Sequence, residues 1–172
     1  MNIRIATTAD FAEIWPLFQS VISSGDTYVF TPDTPEQDAY DYWFGKGVRC
    51  WVALHEGQIV GMYKLIDNQR GLGNHVANAS FMVDGNARGL GIGKALGVHC
   101  IEQATELGYR AIQFNFVVST NTLAVALWQK LGFEILATLP AAFHHSQLGY
   151  VDAYVMHRAL VSHQSWHSVP PR

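Results

Sequence analysis

Two stretches of this chain hold residue types whose spacing can do chemistry. The first is Ser80-Phe81-Met82-Val83-Asp84-Gly85-Asn86-Ala87-Arg88-Gly89-Leu90-Gly91-Ile92-Gly93-Lys94. An apolar, strand-like run ends at Val83, glycines alternate at 89, 91 and 93, and a helical pattern opens directly behind them. A strand feeding a glycine-rich turn at a helix start aims several backbone N–H groups at one anion. Glycine keeps side chains out of the way and tolerates the backbone angles such a turn demands. The chemistry predicted is phosphate or pyrophosphate binding. The second stretch is Asn121-x-x-Ala124-x-x-Leu127-Trp128-x-Lys130-x-Gly132-Phe133, a helix with a capping amide at its start. Other candidates are the adjacent His144 and His145, the Asp26, Tyr28, Phe30 group, and Tyr150 with Asp152.

These residues need a frame. Ile3 and Ile5 alternate with polar neighbours and predict a first strand. Phe11, Ile14, Trp15, Phe18 and Ile22 recur at helical spacing behind a cap at Thr8 or Asp10, with Pro16 predicting a kink or an offset start. Ser23 to Thr34 is a turn-rich connection. Pro35 opens a second helix that Gly45 stops. Val48–Leu54 and Ile59–Ile66 read as strands joined by a Glu56-Gly57 hairpin turn. His75–Val83 is the strand that enters the glycine motif. Ile92, Leu96, Cys100, Ala104 and Leu107 form the stripe of a long helix ended by Gly108. A strand at Ala111–Val118, a helix at Asn121–Leu131, and closing strands at Glu134–Leu139 and Tyr150–Ala159 complete the order. Phe143, His144 and His145 are expected in the loop between those last strands. Hairpins beside strand–helix–strand crossovers predict an α/β or α+β domain with a mixed sheet covered by helices.

The 172 residues suit one domain with a real core, expected over 1–161, followed by a polar tail at 162–172. A hydrophobic content of 49% and a charged content of 15% are those of a folded, soluble protein. The net charge of −3 argues against a nucleic-acid surface. No apolar run is long enough for a bilayer, and the start reads as a strand, not a signal peptide. Cys50 and Cys100 have no metal or CxxC spacing; they read as buried apolar positions in a reduced, cytoplasmic protein.

The glycine motif alone is compatible with an ordinary tight turn. It fits the dinucleotide fingerprint poorly and lacks the Gly-Lys-Ser/Thr of a nucleoside-triphosphate loop. Taken with the second stretch, the chain resembles the GNAT superfamily of acyl-CoA-dependent N-acetyltransferases. The Arg88-Gly89-x-Gly91-x-Gly93 loop and the Asn121…Gly132-Phe133 segment stand in that family's order. Within it the chain is most similar to the phosphinothricin acetyltransferase-like branch.

The resemblance implies a GNAT fold. It would have a mixed, mostly antiparallel sheet of about seven strands, splayed parallel fourth and fifth strands, and about four flanking helices. It implies acetyl-CoA as co-substrate and no metal. The pyrophosphate would lie on Arg88, Gly89, Leu90, Gly91, Ile92, Gly93 and Lys94. Phe81, Met82 and Val83 would hold the pantetheine and thioester, with Asn121, Ala124 and Trp128 beside it and Phe133 mainly structural. The acceptor would be a small-molecule amine, an amino acid or analogue, with Tyr28, Phe30, Asn78 and Tyr150 as candidate contacts. A homodimer is a further expectation. The proton chemistry departs from the pattern. Trp128 stands where many members carry a Tyr acid, and Asn78 where the phosphinothricin-like enzymes carry a carboxylate. Asn121 and His145 are then the candidate catalytic residues, with His144, Asp152 or water as alternatives. These departures also motivate a second reading, an acyl-CoA-binding sensor or interaction module without turnover.

Overall fold

The β4–β5 junction at the centre of the sheet governs the architecture. The computed structural model describes residues 1–87 and 89–162; Arg88 and the tail beyond 162 lie outside it. In chain order the elements are β1 (Asn2–Ile5), α1 (Phe11–Ser23), α2 (Glu36–Phe44), β2 (Arg49–His55), β3 (Gln58–Asp67), β4 (Val76–Val83), α3 (Ile92–Glu106), β5 (Ala111–Val118), α4 (Thr122–Lys130), β6 (Glu134–His145) and β7 (Gly149–Ala159). They build one seven-stranded sheet in the order β1-β2-β3-β4-β5-β7-β6. β4 and β5 are parallel; the other neighbouring pairs are antiparallel. This is the mixed sheet, with its parallel central pair, that the sequence predicts.

Alternation along the strands divides the core in two. On one face α1 and α2 bring Phe18, Ile22 and Trp43 against Val52, Met62 and Met82. On the other, α3 and α4 bring Ile92, Leu96, Cys100 and Trp128 against Tyr63, Leu65, Ile112 and Phe114. Leu17 joins the α1 stripe, and the helix runs through Pro16. Gly61 lets α3 lie close on β3: a Cβ there would stand 2.9 Å from Ile92 Cγ2 and 3.2 Å from the Met82 carbonyl. Among the described residues no helix is long and apolar enough to cross a membrane.

One element differs from expectation. Phe143, His144 and His145 are strand, not loop, because β6 extends to His145. The pairing with β7 slips between Leu139 and Phe143. Ala141 takes a left-handed φ of 50°, and its N–H donates to Asp152 Oδ1 at 2.9 Å. This bulge breaks the alternation that would mark a long strand.

Candidate active site

β4 and β5 pair only at Val76–Ala111 and Ala77–Ile112. At the next position a side chain makes the crossing. Asn78 Nδ2 donates to the Gln113 carbonyl at 3.0 Å. Past it β5 slips in its pairing with β7 between Phe114 and Val117, and the space left between β4 and β5 is a cleft of about 240 Å³.

Backbone alternation decides which groups of β4 face the cleft. The Val76 carbonyl accepts from Asn68 N, and Asp84 N donates to Val60 O, so even-numbered residues turn to the β3 side. His75 O accepts from Arg110 N, so odd-numbered residues turn to β5. Ala79 and Phe81 therefore present backbone groups to the cleft, and the Val83 backbone turns to the same side beyond it. Met82, expected beside them, turns its backbone to β3 and its side chain into the α1/α2 core.

One side of the cleft is aromatic. Trp128 is buried between Phe81, at 4.6 Å between ring centroids, and Phe114, at 4.9 Å. Phe133 stacks on Phe114 at 4.3 Å. The other side is hydroxylated. Tyr28 Oη donates to the Phe81 carbonyl at 2.6 Å, and Tyr42 Oη shares a 2.6 Å hydrogen bond with Ser80 Oγ. Burial raises the pKa of both phenols, which keeps them as neutral hydrogen-bonding groups. Tyr28, Phe30 and Asn78 all line the cleft. Among the described residues, no Asp, Glu, Lys, Arg or His lines it.

Behind Tyr42 lies a group the sequence analysis did not single out. Lys64 is buried on β3, donates to the Tyr42 carbonyl at 2.7 Å and stands 3.1 Å from the centre of the Tyr42 ring. Burial lowers its pKa to about 7. A lysine inside the apolar run Ile59–Ile66 is the sequence signal for it; Tyr42 and Ser80 had none beyond their polarity.

The glycine turn sits at the end of β4. Gly89 and Gly91 adopt φ of 84° and 72°, conformations that favour glycine. Gly91 caps α3 without a side-chain bond, and the first helical bond runs from Ala95 N to Gly91 O at 3.0 Å. The amides of Ile92, Gly93 and Lys94 thus have no acceptor within the helix. Leu90 and Lys94 are exposed beside them.

Asn121 caps α4, its Oδ1 accepting from Ala124 N at 3.3 Å, and it lines the cleft together with Ala124. The remaining candidates lie apart. His145 lines a neighbouring cavity, and its Nδ1 accepts from Gln147 N at 3.0 Å and Leu148 N at 3.3 Å. With Nδ1 used as an acceptor, Nε2 is the ring nitrogen that donates. Tyr150 is 74% exposed and stacks on His144 at 4.8 Å; neither lines the cleft. Asp152 is held at the β6 bulge.

A model described as the acetyltransferase (GNAT) family matches residues 13–133. The chain belongs to the GNAT acetyltransferase family. Solved relatives agree. A GCN5-related N-acetyltransferase from Kribbella flavida is 45% identical, with a TM-score of 0.87 over 92% of this chain and 96% of that one. A GNAT superfamily phosphinothricin acetyltransferase from Sinorhizobium meliloti, solved in complex with AcCoA, is 26% identical with a TM-score of 0.83, covering 99% and 92%. The L-amino acid N-acetyltransferase AaaT of Escherichia coli is 29% identical over 163 residues, 91% of this chain and 96% of that protein. Other curated relatives are longer: the chain covers 47% of N-acetyltransferase aca1 of Schizosaccharomyces pombe, at 31% identity over 98 residues.

Proposed function

We propose that this chain is an N-acetyltransferase that moves an acetyl group from acetyl-CoA to a primary amine of a small molecule, with an amino acid or close analogue as acceptor class. The observation that carries the reading is the β4–β5 cleft, lined by Ala79 and Phe81 of β4, with the uncapped start of α3 just beyond. The kinship with an L-amino acid N-acetyltransferase supports the acceptor class.

The residues present fit acetyl-CoA. Amides of Leu90 to Lys94 and the α3 dipole would meet the pyrophosphate, joined by Arg88. The backbone of Phe81 and Val83 would hold the pantetheine, and one of their N–H groups would stabilise negative charge developing on the thioester oxygen. Asn121 keeps Nδ2 for a further hydrogen bond, since only Oδ1 is used by the cap. Bound acetyl-CoA supplies the activated acetyl group: attack by the neutral amine forms a C–N bond, breaks the C–S bond and releases the coenzyme A thiol. The cleft offers no ionisable side chain among the described residues apart from the neutral phenols, so water takes the amine proton. His145 contributes as a hydrogen-bond donor from the adjoining cavity. Residues 1–161 act as one acetyltransferase domain in this reading. It also carries a cytoplasmic, homodimeric protein working on small molecules.

Mixing the protein with acetyl-CoA, a panel of primary amines and a thiol reagent tests this. Amine-dependent thiol release is the expected result. A second reading, a non-catalytic acyl-CoA sensor, is favoured by the neutral cleft and by Trp128 in its wall. It predicts calorimetric binding of acetyl-CoA with no amine-dependent chemistry.

A further inference from the structure

A second cavity adjoins the cleft and shares Thr27 and Asn121 with it as walls. Asp26, Thr120, Thr122 and His145 also line it. The α1–α2 connection that carries Asp26 is tied to the β6–β7 turn beside it: Ser146 N donates to the Gly25 carbonyl at 3.0 Å, and Ser146 Oγ to the Ser24 carbonyl at 2.8 Å. Its polar groups are only partly used. Thr120 Oγ1 is buried with no partner among the described residues. Asp26 Oδ1 accepts from Ser24 Oγ, and among the described residues Asp26 has no ion-pair partner. Apart from His145, Asp26 is the single acidic or basic side chain among the described residues lining either space.

We propose that Asp26 binds a second, non-reacting positive charge of the acceptor. The preferred acceptor then carries two cationic groups, as in a diamine or a diamino acid, with one amine in the cleft and the other at Asp26. This rests on the acetyltransferase reading. A carboxylate in a partly sheltered cavity attracts a cation and repels an anion at the same place. Hydroxyls of Thr27 and Thr122 accept the remaining N–H groups of an ammonium. The side chains that line the main cleft supply no competing charge.

The test compares acceptors matched in length and differing in one charge: putrescine against butylamine, and ornithine against norvaline. The wild-type protein prefers the dicationic member of each pair in kcat/KM by about tenfold, the scale of one sheltered charge pair, and the preference shrinks as salt is raised. Asp26→Asn keeps the Ser24 bond and abolishes the preference; Asp26→Glu restores part of it. Equal kcat/KM within each pair, or a preference that survives in Asp26→Asn, overturns the proposal. If no amine is turned over, the acetyltransferase reading fails on its own. Calorimetry with acetyl-CoA-loaded protein then decides Asp26: tighter binding of putrescine than butylamine, lost in Asp26→Asn, supports it, and equal binding overturns it.

Discussion

Asn78 and Gln113 are joined by a side-chain hydrogen bond at the point where the β4–β5 backbone ladder stops. Asn78 Nδ2 reaches the Gln113 carbonyl at 3.0 Å, one position past the Ala77–Ile112 pair. The bond fixes the apex of the cleft and satisfies a carbonyl that the ladder abandons. Asn78→Ala should cost about 1 kcal/mol in urea unfolding and weaken acetyl-CoA in calorimetry by loosening the apex. Unchanged affinity would make the bond a local stabiliser only.

The glycine turn yields a sharper separation of binding from folding. A Cβ on Gly91 would meet no atom within 4 Å. Gly91→Val meets no clash at Cβ and costs chiefly the left-handed backbone, at least about 1–2 kcal/mol for a β-branched residue, while it adds bulk beside the α3 amides. A folded protein that no longer binds acetyl-CoA is expected. Binding that survives removes the pyrophosphate assignment.

Asn121 has two roles that one substitution pair can divide. Asn121→Asp preserves the oxygen that caps α4 and removes the amide donor. Asn121→Ala removes both, with about 1 kcal/mol lost from the cap. Acetyl-CoA affinity should fall in both variants, and thermal stability in the alanine variant alone. If affinity tracks stability, Asn121 is a cap and nothing more.

Two titrating groups make stability rise with pH in separate windows. Asp10 receives both guanidinium nitrogens of Arg4, at 2.7 and 2.8 Å, and that pairing holds its carboxyl well below the usual range. Its folded pKa is depressed, so its stabilisation is complete above the unfolded value of about 4 and is lost as pH falls below it. Asp10→Asn should flatten the acid-unfolding curve in that window while lowering stability at neutral pH. Lys64 gives the same sign at higher pH, through relief of a burial penalty where Asp10 gains a favourable pair. Burial lowers its pKa to about 7, so the folded state holds fewer protons than the unfolded state between about pH 7 and 10. Stability rises with pH across that interval, and Lys64→Met should remove the rise in urea midpoints.

Much of this was written in local patterns. The seven strands and four helices followed from alternation, helical stripes and the turns at Glu56-Gly57 and Gly108, because each signal lies within a few residues. The glycine turn from Gly89 to Lys94 and the cap at Asn121 were legible for the same reason, since each is a contiguous motif. The hydroxylated side of the cleft was not. Tyr28–Phe81, Tyr42–Ser80 and Ser146–Gly25 are contacts between distant segments, and no periodicity announces them. Tyr150 shows the same limit. Alternation put it on one face of β7, but its register opposite His144 carried it away from the cleft. The extension of β6 was hidden by the bulge at Ala141.

The most direct test of the central claim follows acetyl transfer itself. Acetyl-CoA labelled in its acetyl group is incubated with the protein and a primary amine, and the label is traced by mass spectrometry. The account predicts labelled N-acetyl amine and free coenzyme A in equal amounts, both lost in Gly91→Val. Tight acetyl-CoA binding with neither product, across diamines, amino acids and simple amines, would contradict it.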